Sequence, residues 1–497
     1  MLDTSLVNRY GSTCMLDARD RSLAGTDPGR IAKECPMGGR LDWFREAKFG
    51  LFIHWGPYSL AGCEASWPIM VPEWSWYQGL PRPSQRRYEA LPRQFNPSGF
   101  SADAWVEAAA EAGMRYIVFT TKHHDGFCMF DAPGTDYKIT NTAFGRDVLA
   151  ELSEACARRG LRLGLYYSPP DMHHPGYRDR SVPARKNWRG QPERAEWSTY
   201  LDYMEEHLRT LLTRYGDIAL IWFDALNDHH MYNPERFHTL IHDLSPETLV
   251  NNRLGGQGDY VTPEQGIPEG VPVRSGDAPA TAGTSEKTIS KVIRAARIPI
   301  VRRIVRAKVR RVMRAMAEQQ KPLKPIPAET LPDTSQFQPW ETCMTMNGTW
   351  AYCPTDRNWK PADRLLRTLV EVASRGGNLL LNVGPGPDGT FPSEARERLK
   401  LMGAWMAANG EAVYGTTFGE VQGYDAVRST RKDGVTYLFV MDGSDEAILR
   451  VDPGRPVSSV TLVRDRTKVP FHMTDGTLEV ALSNRDRYGL LPALRVE

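Results

Sequence analysis

The order of apolar and polar residues predicts a (β/α)8 TIM-like barrel followed by a small C-terminal antiparallel β-sandwich. Three observations carry that expectation. Eight short apolar segments lie between residues 49 and 384, nearly continuous in the way of parallel strands buried on both faces. Segments with helical periodicity separate many of them. Beyond about Gly410 that period gives way to short runs rich in Val, Leu and Thr, divided by Asp-Gly, Gly-Ser and Pro-Gly turns, the pattern of a small sandwich. No Gly-rich phosphate loop follows an early strand, which weighs against an open doubly wound sheet.

In chain order the strand candidates are FGLFIHW (49–55), YIVFTTKHH (116–124), LRLGLYYS (161–168), IALIWFD (218–224), TLVNNR (248–253), DYVTPE (259–264), ETCMTM (341–346) and NLLLNVG (378–384). Helices are expected after Ser101, from Arg146, from Ser198 and from Ala362. The division that follows is an N-terminal extension over 1–35, a catalytic barrel over 36–412 with an insertion at about 284–336, and a sandwich over 413–497. In the sandwich, GYDAVRSTR, VTYLFVMD, SSVTLVRD, LEVALS and ALRVE read as strands.

Size and composition suit a globular enzyme: 497 residues, 41% hydrophobic and 25% charged, enough chain for two or more domains. The seven cysteines are scattered and form no CxxC pair, so reduced thiols are expected rather than a disulfide framework or a zinc site. No apolar run reaches the length of a membrane span, and the first 35 residues lack the apolar core of a secretory leader. A cytoplasmic location is the resulting expectation.

The segment DIALIWFDALN is the most informative stretch for chemistry. An apolar run stops at a carboxylate, Asp224, as a barrel strand does when it delivers a side chain to the mouth. Polar residues near the other strand ends join it: His54, His123, His124, Tyr166, Trp222, Arg253, Glu264, Glu341 and Asn382. This set offers carboxylates for acid and base work, imidazoles and a guanidinium for hydroxyl groups, and aromatic faces for a sugar ring. Neighbours on a strand point to opposite faces, so only one of His123 and His124 is expected to look inward, and no metal site is expected.

The strings KFGLFIHWGPYS, TTKHHDGF, GLYYS, LIWFD, NNR, GDYVTPEQ, WETCMTMN and GGNLLLNVGPGPDG, in this order, resemble the α-L-fucosidases of glycoside hydrolase family 29. The resemblance implies a retaining mechanism with two carboxyl groups and no metal or organic cofactor. It places the nucleophile at Asp224 and the acid/base at Glu264, with Glu341 and Glu269 as alternatives. It also implies sugar contacts from His54, Glu73, Trp74, His123, His124, Tyr166, Trp222 and Arg253, and an aromatic wall for the C5 methyl at Trp350. The substrate would be a fucosylated glycan or glycoside, hydrolysed at a terminal α-L-fucosyl linkage through a covalent intermediate. Three other readings share these residues: a transfucosidase, an α-L-galactosidase, and a relative that binds or tailors a small glycosylated metabolite without hydrolysis.

Two loops depart from the family pattern. AGCEASWPIMVPEW carries an extra acidic residue, Glu64, and DMHHPGY has Met172 where many relatives have Trp. The insertion is the largest departure. Between Glu286 and Lys324 it holds 13 Lys or Arg against two Glu, within a chain of net charge +2. Val301, Val305, Val312 and Met316 fall near one helical face with arginines on the others. Such a helix near Ser290 to Gln320 suits packing on the barrel, a homo-oligomer contact or an anionic membrane surface; a nucleic-acid partner is not expected.

Overall fold

The computed structural model describes residues 39–497 apart from 73–74, 76–78, 226–228, 271, 273–336, 422–425, 442–447 and 484–489. The basic insertion, with the oligomer and membrane-surface contacts expected of it, lies outside the described residues. So do Glu73 and Trp74.

Seven parallel strands form one sheet: β1 (Phe49–Ile53), β2 (Tyr116–Lys122), β3 (Arg162–Tyr167), β4 (Ile218–Phe223), β5 (Leu249–Val250), β6 (Glu341–Thr345) and β7 (Asn378–Val383). Their order is β5-β4-β3-β2-β1-β7-β6. The eighth expected strand differs from its neighbours. Residues 259–264 make isolated bridges, Asn251 with Tyr260 on one side and Val261 with Trp340 and Glu264 with Cys343 on the other. This segment therefore closes the ring between β5 and β6 without a full ladder, because Pro263 has no N–H to continue the pairing. β5 is also shorter than expected, since Asn252–Leu254 turns into a 3-10 helix.

The four expected helices form where local chemistry starts and stops them. Ser101 accepts a hydrogen bond from the Ala104 N–H at the start of Ala102–Glu111. Asp147 caps Val148–Arg159 through Leu149 and Ala150, and Gly160 ends that helix at φ +73°, a left-handed cap that glycine adopts without strain. The other two helices are Trp197–Arg214 and Ala362–Ala373.

Apolar packing occupies two layers. Inside the ring, Phe52, Tyr116, Tyr166, Trp222, Tyr260 and Leu380 fill the lumen. Gly50 permits this: a Cβ there would lie 2.4 Å from the Tyr116 ring. Outside it, strand residues such as Leu51, Phe119, Leu165 and Leu381 pack against the helices.

The C-terminal region is two antiparallel sheets. One contains β8 (Thr417–Phe418), β9 (Val427–Lys432), β10 (Val435–Val440), β12 (Val460–Leu462) and β15 (Ala493–Val496), in the order β12-β15-β10-β9-β8; the other is β11 (Ile448–Val451), β14 (Thr477–Ala481) and β13 (Phe471–Thr474). Leu438, Val451, Leu478 and Leu494 belong to their shared core. A buried ion triad ties this region to the barrel: Glu371 accepts from Arg375 Nε at 2.9 Å and from Arg428 Nε on β9 at 2.8 Å. No helix among the described residues is long and apolar enough to cross a membrane.

Candidate active site

Asp224 is the first residue after β4, and three groups converge on it. Tyr166 Oη donates to Oδ2 at 2.9 Å, Arg253 Nη1 donates to Oδ1 at 3.0 Å, and His124 Nε2 lies 3.5 Å from Oδ2. Burial pushes this carboxyl up, but Arg253, His124 and Tyr166 together pull harder, and its pKa ends below the usual carboxylate value. Asp224 is thus held ionised with its negative charge fixed in place.

Arg253 follows the short β5, in the 3-10 turn. Its Nε donates to Thr262 Oγ1 at 3.0 Å and its Cζ lies 4.5 Å from the centre of the Trp222 ring. Oriented in this way, Nη1 bonds both Asp224 Oδ1 at 3.0 Å and Glu264 Oε2 at 3.2 Å. The side chain of Glu264 is 45% exposed against 14% for Asp224. One carboxylate is therefore deep and fixed, and the other sits at the rim.

The histidines behave differently from the strand-alternation expectation. β2 ends at Lys122 after a register shift, so His123 and His124 lie beyond the regular pleat and both face the site. Their ring centroids are 4.3 Å apart; His123 stacks on Tyr166 at 5.5 Å, while His124 reaches Asp224. Strand alternation holds on β3 instead: Tyr166 points in to Asp224, and the Tyr167 hydroxyl meets His207 outside the lumen.

Hydrogen bonds identify which histidine nitrogens remain open. Ser168 Oγ donates to the Pro170 carbonyl at 2.7 Å, so it accepts from Nδ1–H of His124 at 2.6 Å. The Asn382 amide donates to the Trp350 carbonyl at 2.7 Å, so its oxygen accepts from Nδ1–H of His54, also at 2.7 Å. In the neutral rings Nε2 is then a hydrogen-bond acceptor, suited to a hydroxyl group. Burial drives both imidazoles down to a pKa of about 4 and His123 well below its ordinary value. Trp350 lies beside His54, at a centroid distance of 5.0 Å. Among the described residues no group of three or more His, Cys, Asp or Glu is placed to hold a metal ion.

The two alternative acids fall elsewhere. Glu341, expected among the polar residues at strand ends near the mouth, is instead the first residue of β6, at the opposite end of the strand. It is fully buried, accepting from Tyr116 Oη at 2.5 Å and Trp222 Nε1 at 2.9 Å. Glu269 is exposed, and its backbone carbonyl accepts from Arg375 Nη1 at 2.5 Å beyond the start of β7. Met172, which departs from the family pattern, is buried in the outer core.

Sequence reasoning missed the supports. Ser66 Oγ meets His123 Nδ1 at 2.7 Å, and Glu64 accepts from the backbone of Trp350 and Ala351. The signal was present in the irregular CEASW string, whose extra carboxylate is buried. Ser168, the last letter of GLYYS, was likewise readable as a polar residue at a strand end.

The family model described as alpha-L-fucosidase matches residues 39–276 and 274–411 of this chain. The tissue alpha-L-fucosidase of Bos taurus is 28% identical over 463 residues, covering 85% of this chain and 80% of that protein. The plasma alpha-L-fucosidase of Rattus norvegicus is 27% identical over 396 residues, 75% of this chain and 70% of that one. Among solved structures, alpha-L-fucosidase isoenzyme 1 from Paenibacillus thiaminolyticus aligns with a TM-score of 0.71 at 29% identity, over 92% of this chain and 98% of that chain.

Proposed function

From the premise that this chain belongs to the α-L-fucosidase family of glycoside hydrolases, we propose that it is a retaining exo-enzyme releasing terminal α-L-fucose from a fucosylated glycan or glycoside. The observation that carries the reading is the shared Arg253 nitrogen. Asp224 Oδ1 and Glu264 Oε2 both bond Nη1, at 3.0 and 3.2 Å. The two oxygens are therefore at most about 6.2 Å apart, below the ~6.5–9.5 Å carboxyl spacing of inverting glycosidases and compatible with the ~5–5.5 Å of retaining ones.

In the first step an Asp224 oxygen attacks the anomeric carbon. The C1–O bond breaks, its electron pair goes to the glycosidic oxygen, and that oxygen takes the proton of Glu264 in its acid form. A fucosyl ester on Asp224 results. Glu264, now a carboxylate, takes a proton from water as the water oxygen attacks C1 and expels Asp224, giving α-L-fucose. Arg253 keeps Asp224 ionised and registers the rim carboxyl against it. His54, His123 and His124 present imidazole nitrogens to the ring hydroxyls, while Trp350 faces the methyl group. The alternative roles for Glu341 and Glu269 are disfavoured by their placement. An acceptor sugar in place of water would give transfer with the same residues.

A cytoplasmic setting is part of this proposal; the five cysteines described, Cys63, Cys128, Cys156, Cys343 and Cys353, are buried and form no disulfide among themselves. The test of function is release of p-nitrophenol from p-nitrophenyl α-L-fucoside by the wild type and by Asp224→Asn, with the α-L-galactoside and β-D-fucoside as controls. Proton NMR of the first sugar formed reads the anomer. A folded wild type with no turnover, or β-L-fucose as the first product, would sink the proposal.

A further inference from the structure

The five-residue loop 63–67, CEASW, lies outside the barrel strands yet touches three parts of the site. Glu64 is buried, and its carboxylate accepts from the Trp350 N–H at 3.1 Å (Oε1) and 3.0 Å (Oε2), and from the Ala351 N–H at 3.1 Å. Ser66 holds His123 by the 2.7 Å contact, and the Trp67 ring meets His124 edge-on at 6.2 Å. Between Glu64 and Ser66, Ala65 has φ +25°, a conformation L-residues rarely adopt, which shows that the surroundings over-determine the turn.

Glu64 is the one of these contacts that reaches the segment after β6, on the far side of β7. Trp350 follows β6; Glu64 holds its N–H and Asn382 its carbonyl at 2.7 Å, while its ring lies against His54 and Phe52. Asn382 in turn fixes His54. The backbone of Trp350 is thus held on both sides, with a buried carboxyl group as the acceptor on one of them. Two adjacent backbone N–H groups share this one side chain, which fixes the turn at Trp350 and Ala351 more firmly than a single contact would. Nothing in the reaction chemistry uses Glu64, and its oxygens are directed to main chain.

Resting on the fucosidase reading, we infer that Glu64 is a positioning residue that sets Trp350 against the C5 substituent and so determines how strictly a 6-deoxy sugar is preferred over its 6-hydroxy counterpart. Without the clamp, the wall recedes and the added hydroxyl of an α-L-galactoside is tolerated. The effect lies on binding and discrimination, because Asp224, Arg253 and Glu264 are held by contacts independent of Trp350.

The experiment compares wild type, Glu64→Ala, Glu64→Gln, Trp350→Ala and the double variant Glu64→Ala/Trp350→Ala on p-nitrophenyl α-L-fucoside and α-L-galactoside, with near-UV circular dichroism to establish folding. For Glu64→Ala the expected result is a KM for the fucoside raised about tenfold with kcat changed less than about threefold, and a fucoside-to-galactoside ratio of kcat/KM lowered about tenfold. Glu64→Gln, which retains one acceptor oxygen, falls between, and decides the matter if the alanine variant does not fold. The double variant matches Trp350→Ala. Folded variants with the wild-type ratio, or effects of Glu64→Ala and Trp350→Ala that simply add, overturn the inference while leaving the fucosidase reading standing. An inactive wild type overturns both.

Discussion

Two carboxylate clusters share the lumen of this barrel and are built on different terms. In the lower one Glu341 is sealed beneath Tyr116 and Trp222, with both oxygens taken by neutral donors. In the upper one Asp224 and Glu264 share a guanidinium, and one of the pair stands nearly half exposed. A neutral, dry surrounding raises the Glu341 pKa to about 7, whereas Arg253, against the cost of burial, brings Asp224 below its ordinary value. The role of a carboxylate in this barrel is assigned by its level along the strand. At the first residue of β6 it ties the lumen together; after the last residue of β4 it is available for chemistry.

The largest effect is expected from neutralising the upper cluster. Asp224→Asn should lower kcat at least ~10³-fold while leaving the fold unchanged; retention of more than a tenth of the activity would show that the nucleophile is elsewhere. Next, Glu264→Ala should lower kcat/KM by ~10²–10⁴-fold for a poor leaving group. It should lose less in the first step with p-nitrophenol, which departs without a proton, and added azide should restore turnover by attacking the fucosyl ester without base assistance. Equal loss on good and poor leaving groups, with no response to azide, would remove Glu264 from the acid/base role.

Glu341→Gln probes the lower cluster, and activity should stay within about threefold, since an amide still accepts from Trp222 and can bond the Tyr116 oxygen. Its signature is in stability against pH. Glu341 titrates near 7 in the folded chain against 4.5 for the unfolded value, so the native state keeps a proton that the unfolded state has released. Stability contributed by the group is therefore full below about pH 4.5, falls as pH rises toward 7, and is flat above. The glutamine variant should remove that part of the slope, on the order of 1–3 kcal/mol. Glu64, also raised to about 7 by burial, retains its own share. Denaturant melts at pH 5 and 8 measure the difference, and an unchanged slope would contradict the assignment.

The smallest expected effect is a null titration. His124 has its pKa pushed down to about 4, so its NMR signals should not shift between pH 5 and 8. A midpoint near 6.5 would mean that it is charged against Asp224, and the open Nε2 acceptor would be lost at mildly acid pH.

Much of this was legible in the chain, for identifiable reasons. Buried parallel strands are continuous apolar runs, so β1, β2, β4 and β7 could be read from composition alone, and Asp224 stood out because LIWFD ends on a charge. The paired imidazoles were misread because strand alternation was extended past Lys122, where a register shift ends it. Glu341 was misplaced because a polar residue beside an apolar run marks one end of the strand without saying which end reaches the mouth. In the sandwich, β11 and β13 escaped notice: their exposed polar positions and short length make them resemble loops. Glu64 was noticed only as an irregularity, because its partner is backbone more than 280 residues away, a contact no local pattern contains.

The bridging segment at residues 259–264 has one more consequence, for how the molecule could be divided. It joins its neighbours through isolated bridges, and the chain then runs through residues 273–336 before β6 begins. An irregular join in the barrel and the longest stretch of chain between its strands thus coincide. Severing the chain within that stretch would leave Asp224, Arg253 and Glu264 on one fragment and Trp350 and Asn382 on the other, with the ring closed only by association across two edges. Mixed as separate polypeptides, the halves would report their own reassembly through recovered turnover, making the seam a natural place to split the protein into a complementation sensor.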